Sequence, residues 1–374
     1  MTQIMQKFEN LLKEKYESEH IRYRNETLII YGAGNLGRAT LKLLNELNLK
    51  CVFFCDKNEK LKDTLIDGFE VKHPAYINDK FKKESIVLVS VVAVAFKEIK
   101  KYLNTIGFEK IYFSGDFLYN FVDKPLLNVW YLSELSNDEK NMLVMNFNIF
   151  NDYKSKIAYY QNTEWFLKHT DAEESYPVFS QDDKYFIEEI RKHFSENDIW
   201  IDTAYLNGEY IEKIRKYTEN SYTYIYSFKL MKESDPPYED SELKIKVINY
   251  ELGNEDGCII NQGIATMLPF ATIQEYFTNT KIFDEINFID RFNFFRCYSM
   301  NEAINILKGS IKSIKLNRPI IMCNIGHYKK DFINVPYYLN KHLENYTFIF
   351  RNHGYYANDS IIYAIPKEKL IEKV

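Results

Sequence analysis

Residues 27–58 read TLIIYGAGNLGRATLKLLNELNLKCVFFCDKN. An apolar strand, a glycine turn, an amphipathic helix and a second apolar strand ending in an acid follow one another without a break, which makes one complete βαβ unit. The turn Gly32-Ala33-Gly34-Asn35-Leu36-Gly37 has G-x-G-x-x-G spacing, and Asp56 stands about 20 residues on, at the end of the second strand. Each part has a chemical reason. Gly32 permits the tight turn, Gly34 lets a pyrophosphate approach the backbone, Gly37 allows the helix to pack closely, and Asp56 can accept from ribose hydroxyls. These four residues are candidate contacts for NAD or another nucleotide. The same glycines would also make a strand-to-helix crossing compact with no ligand, so the motif leaves a binding role and a structural role open.

Working outward, Ile4, Phe8, Leu11, Leu12 and Tyr16 fall at helical spacing and predict a lead-in helix over residues 3–19. After the βαβ unit come a polar turn at Ile66-Asp67-Gly68, a buried strand over 86–92, a helix over 96–107 and a strand over 110–114. Residues 1–118 therefore close as a Rossmann-like nucleotide-binding module. Residues 119–197 are mainly helical in pattern and poor in glycine, a helical connector. From Asp198 the alternation resumes: strand IWIDTAY, helix GEYIEKIRKYT, strands YTYIYSF and KIKVINYEL, turn GNEDG, helix NEAINILKGSIKSI, strand PIIMCNIG, helix VPYYLNKHLE, then strands YTFIFRN and SIIYAIP. Residues 198–374 predict a second α/β domain with a hairpin at one edge. The fold class expected is α/β, two Rossmann-like doubly wound domains joined by a helical connector.

A length of 374 residues suits two domains. With 48 Lys and Arg against 53 Asp and Glu, the net charge of −5 lacks the basic excess that binding to nucleic acid phosphates needs. The uncharged run over 85–96 is well short of the roughly 20 residues of a membrane span, and the charged first 20 residues lack the apolar stretch of a secretory signal. Five cysteines without C-x-x-C or Cys/His spacing predict neither a metal site nor a disulfide framework. They read as reduced thiols of a cytoplasmic protein. His73 is a lone loop histidine, and no hydride-transfer set accompanies the glycine turn.

Later segments carry a resemblance. GHYKKDFINVP (326–336) presents His327, Asp331 and Pro336, and RNHGY (351–355) with IIYAIP presents Arg351 and His353 beside a closing strand pair. NVWYLSELSNDEKN, FSQDDKYFIEEI and VINYELGNEDG add earlier matches. Over 128–366, and more loosely over the front module, the chain resembles the FkbM-type S-adenosylmethionine-dependent methyltransferases. The resemblance implies a methyltransferase-like second domain that transfers a methyl group to a hydroxyl of a sugar or glycan precursor. His327 would accept the proton with Asp331 beside it, Arg351 and His353 would hold the substrate, and Asp202 and Gly208 would face the cofactor.

The cofactor half departs from the family pattern. Thr203, Ala204 and Tyr205 stand where the family has small residues around the methionine end. Lys229 stands where an acid would accept from the ribose diol, and an ammonium can only donate. Tyr298-Ser299-Met300-Asn301 replaces the acidic stretch ahead of ILKG. Two functional readings follow. One is an FkbM-like methyltransferase, the other a non-catalytic ligand- or partner-binding protein with a nucleotide-sensing front module. Both coexist with purely structural roles for the late residues: His327 at a strand end, Asp331 starting a helix, and Arg351 in an ion pair.

Overall fold

A computed structural model describes residues 2–14, 26–121, 135–168, 183–195, 198–203, 208–218, 224–229, 244–264, 273–287, 289, 291–298, 303–326, 329–357 and 359–370. Its front part comprises α1 (Thr2–Lys13), β1 (Leu28–Tyr31), α2 (Asn35–Glu46), β2 (Cys51–Cys55), β3 (Leu65–Ile66), β4 (Phe69–Lys72), α3 (Asp79–Glu84), β5 (Ile86–Val89), α4 (Phe96–Thr105), β6 (Lys110–Phe113) and α5 (Ser114–Phe121). The strands form one sheet in the order β3-β4-β2-β1-β5-β6. All pairings are parallel except that of β3 with β4. Chain order reverses beside β1, so the gap between β1 and β5 is the topological switch point of this sheet. Buried runs such as LIIY and IVLV suit strands covered on both faces.

Three helices follow, α6 (Asn137–Ile149), α7 (Tyr153–Lys168) and α8 (Glu188–Arg191). Ser136 and Glu139 form a reciprocal capping box that starts α6. The predicted lead-in helix is α1, and it leans on this group: Phe8 stacks on Phe147 with centroids 4.5 Å apart.

The second part comprises β7 (Ile199–Asp202), α9 (Gly208–Thr218), β8 (Tyr224–Phe228), β9 (Ile245–Ile248), β10 (Glu251–Gly253), β11 (Gly257–Ile264), β12 (Ile273–Ile282), β13 (Phe294–Cys297), α10 (Ala303–Asn317), β14 (Ile320–Asn324), α11 (Lys329–His342), β15 (Tyr346–Asn352), β16 (Ser360–Pro366) and α12 (Lys367–Leu370). Its main sheet has seven strands in the order β15-β16-β14-β13-β7-β8-β9. β16 runs antiparallel to both neighbours, which is the expected edge hairpin. The sequence predicted one strand over KIKVINYEL, but the chain turns at Asn249-Tyr250 and β10 joins β12 and β11 in a separate sheet. The β11–β12 hairpin and β13 were not anticipated.

α11 begins at Lys329, six residues before the predicted segment VPYYLNKHLE, and carries Pro336 inside it. Proline has no N–H for the carbonyl four residues back. That carbonyl, Phe332 O, accepts instead from the Tyr159 hydroxyl at 3.3 Å, and Ile333 O accepts from Asn146 Nδ2 at 2.8 Å. Contacts with α6 and α7 thus let the helix run through its proline.

One apolar cluster extends from Ile29, Val87 and Phe96 through Phe8, Phe147 and Tyr159 to Ile321, Phe332 and Phe350, joining the two sheets through the helical layer. Helices approach the strand ends very closely at two places. A Cβ on Gly37 would lie 1.9 Å from Gly32 O, and one on Gly309 would lie 1.8 Å from Gly253 O. Gly34 differs, because a Cβ there meets nothing within 4 Å. Replacing a helical glycine by alanine normally stabilises by about 1 kcal/mol. Gly37→Ala and Gly309→Ala should instead each destabilise by about 1–3 kcal/mol, from backbone displacement. Gly34→Ala should leave the urea midpoint unchanged, and urea denaturation of the three variants checks this.

Candidate functional site

The front turn lies at the sheet's switch point. Gly32 has φ +102°, and a Cβ there would strike Val91 Cγ2 at 2.7 Å and Ser90 O at 2.8 Å, so the residue is required by both conformation and space. Gly34 caps α2 with extended backbone and without a side-chain hydrogen bond. Ser90 and Val91, following β5, pack against the turn. Asp56 accepts from Ala33 N–H and from Asn58 N–H, each at 2.8 Å, and so ties the end of β2 to the turn. A carboxylate has lone pairs beyond these two bonds, so this arrangement leaves it able to accept from a hydroxyl as well. The structure therefore brings Gly32, Gly34, Gly37 and Asp56 together.

In the second sheet the corresponding crevice lies between β7 and β13. Asp202, the last residue of β7, is buried and accepts from Arg296 Nη1 at 2.8 Å. Arg296 comes from β13, directly across the ladder, and is buried itself. Its guanidinium carbon lies 3.6 Å from the centroid of the Tyr210 ring and 4.4 Å from that of Tyr185, the two rings standing at 85° to each other. Burial alone would lower the arginine pKa, but Asp202 and the two phenols outweigh it and push the value up. Burial raises both phenol pKa values, so both stay neutral.

The next residue closes the crevice further. Thr203 N–H donates to Arg296 O at 3.1 Å, its hydroxyl donates to Tyr298 O at 3.1 Å, and Tyr298 N–H donates to the same hydroxyl at 3.0 Å. β7 and β13 thus remain bonded one residue beyond their ladder, where strands of a ligand-binding sheet part. Lys229 follows β8, half-buried, its N–H on Ile248 O at 3.1 Å. Gly208 opens α9. Ala204, Tyr205, Ser299, Met300 and Asn301 lie outside the described residues.

S-adenosylmethionine needs an opening at this switch point for its methionine end and an acceptor for its ribose diol. The described residues present a Thr203 rung, a carboxylate committed to an arginine, and an ammonium-bearing side chain. They do not fit that cofactor.

Among the described residues, Asp331, Arg351 and His353 engage different partners. His327 lies outside the described residues. Asp331, in the first turn of α11, is buried and accepts from Ala303 N–H at 2.8 Å and Ile304 N–H at 3.0 Å. It therefore caps α10, a neighbouring helix, as well as standing near the start of its own. Arg351 is buried against α7 and α8, bonded to Asp152 at 3.0 Å, Ser155 at 2.7 Å and Glu189 at 2.9 Å. His353 is fully buried, with Nε2 2.8 Å from the Tyr363 hydroxyl. That hydroxyl also accepts from Tyr185 N–H at 3.1 Å.

Sequence reasoning missed Arg296, Tyr185 and Tyr210. One signal was available: Arg296 is the lone charge in FNFFRC, and a charge within an apolar strand requires a buried partner.

The architecture defines a protein of methyltransferase-like α/β fold. The crystal structure of methyltransferase FkbM from Methylobacillus flagellatus KT superposes with a TM-score of 0.71 at 14% identity, covering 96% of this chain and 99% of that one. That likeness establishes the fold. UDP-D-quinovosamine 4-dehydrogenase from Vibrio fischeri aligns at 29% identity over 23% of this chain and 75% of that one, with a TM-score of 0.20 that carries no argument. No protein-family model and no curated protein sequence matches the chain. No helix among the described residues is long and apolar enough to cross a membrane.

Removing one member of a buried ion pair strands the other, at a cost of about 3–5 kcal/mol. Asp202→Asn should lower unfolding free energy by about that amount. The double variant Asp202→Leu/Arg296→Met should be less destabilised than Asp202→Asn alone. Guanidinium denaturation of the set reads this directly; equal losses in all variants would show that the pair adds nothing.

Proposed function

We propose that this chain is a nucleotide-binding protein built on a methyltransferase fold. Its front module takes an adenine dinucleotide or related nucleotide. The second domain holds a ligand or partner without transferring a methyl group. The carrying observation is the contrast between the two switch points: nothing lies within 4 Å of the position a Gly34 side chain would occupy, whereas Thr203 bridges the second crevice. In the front site, Gly34 would give a pyrophosphate access to the first N–H groups of α2, where the helix dipole favours an anion. Asp56 would accept from the ribose hydroxyls while holding the turn in shape.

A second reading has one observation in its favour, the likeness in fold to an FkbM methyltransferase over nearly the whole chain. On that reading the second domain transfers a methyl group from S-adenosylmethionine to a sugar or glycan hydroxyl, and His327 takes up the proton.

Calorimetry of the full chain against ADP-ribose, NAD, S-adenosylmethionine and S-adenosylhomocysteine separates the readings. The expected result is heat of binding with the first pair and none with the second. Low-micromolar binding of S-adenosylmethionine would establish the methyltransferase reading instead. Gly34→Val should abolish nucleotide binding while the unliganded melting temperature stays near that of the parent chain, because its side chain enters open space. Retained nucleotide affinity in that variant would remove the glycine turn from the site.

A further inference from the structure

The wall of the front crevice is held from the second domain. Ser90 and Val91, the first residues of the segment 90–95, pack on the glycine turn so closely that Gly32 cannot carry a side chain. They are anchored by Ser90 N–H donating to Tyr31 O at 2.8 Å and by the Ser90 and Thr40 hydroxyls 3.0 Å apart. At the other end of the segment, Val94 O accepts from the Tyr356 hydroxyl at 3.3 Å. Tyr356 lies between β15 and β16, far along the chain from the turn it supports.

The second domain holds this tyrosine in an unusual backbone conformation. Tyr356 and Ala357 have φ values of +58° and +56°, a left-handed pair that residues with side chains seldom adopt. Surrounding contacts impose it. Ser360 Oγ donates to Ala357 O at 2.7 Å, and Asn162 Nδ2 of α7 donates to Ser360 Oγ at 2.6 Å. The Tyr356 ring stacks on Phe113 of β6, centroids 4.6 Å apart and planes 4° apart. Burial keeps the phenol protonated, so it donates.

We propose that Tyr356 is a positioning residue for the front nucleotide site. Its hydroxyl fixes residues 90–95 against the glycine turn, and the site is complete only in the full chain. The inference rests on the nucleotide-binding reading above. A ligand that orders residues 90–95 must then be felt at the β15–β16 connection, and by linkage the state of that connection must alter nucleotide affinity equally.

The test uses the full chain and ADP-ribose. Tyr356→Phe keeps the ring stack and removes the hydrogen bond. It should weaken ADP-ribose binding by about 2- to 10-fold, the usual worth of one such bond. Hydrogen exchange supplies the readout that a merely structural role would not move. In the parent chain ADP-ribose should protect amides at residues 32–37 and also at 353–357. In Tyr356→Phe the first protection should persist and the second disappear. Unchanged affinity in the variant overturns the inference and leaves the nucleotide reading standing. So does parent-chain binding without altered exchange at 353–357, which decides the matter even if the variant does not fold. Absence of any ADP-ribose binding to the parent chain removes the nucleotide reading and the inference with it.

Discussion

The ion pair between Asp202 and Arg296 organises the second domain. A guanidinium taken out of water is costly unless its charge and its faces are both satisfied. Asp202 answers the charge from the adjacent strand, while the Tyr185 and Tyr210 rings pack against the guanidinium. Those rings come from the segment before α8 and from α9, so meeting the needs of one arginine docks two peripheral elements on the sheet. The effect continues outward. Tyr185 N–H reaches the Tyr363 hydroxyl, and Tyr363 meets His353. A line of buried contacts therefore links the centre of the sheet to its antiparallel edge.

Helical glycines bring a helix within touching distance of a strand end at two places: Gly37 of α2 beside Gly32, just after β1, and Gly309 of α10 beside Gly253 of β10 in the three-stranded sheet. Close helix packing is thus a property of the fold and says nothing about binding. What separates the sheets is the residue after the first strand's end. At the front it is Gly32 with positive φ, whose backbone passes against Ser90 and Val91, and two residues on a Gly34 side chain would meet nothing within 4 Å. In the second domain it is Thr203, whose hydroxyl both donates and accepts across the gap.

Legibility in the sequence followed the range of the interactions. The front turn is local: turn, helix and acid lie within one βαβ unit, so periodicity and glycine spacing were enough to show that Gly32, Gly34, Gly37 and Asp56 come together. Most second-domain strands were also legible, being apolar runs between turns. The sequence offered an ion pair for Arg351 and a helix start for Asp331, but their partners were not legible. Asp331 acts on α10 through Ala303 and Ile304, and Arg351 acts on Asp152 and Glu189. These partners are brought near only by the tertiary fold, so a motif read along the chain does not show them. The β11–β12 hairpin escaped because its segment lacks clear alternation. The extra turns at the start of α11 run through Pro336 because the carbonyl that the proline leaves without a donor is bonded by Tyr159.

A small module with its own sheet would ordinarily be expected to bind its ligand unaided. Here its outer packing argues otherwise. Phe113 of β6 stacks on Tyr356, and the apolar cluster under the front sheet continues into α6, α7 and the second sheet without a boundary. Removing the second domain would expose that cluster and release residues 90–95 at Val94 together. The crevice wall is therefore determined by the packing between sheets as much as by the glycine turn it faces. A closed second crevice need not be inert in such an arrangement, since the rigid edge hairpin that ends its line of buried contacts also carries Tyr356.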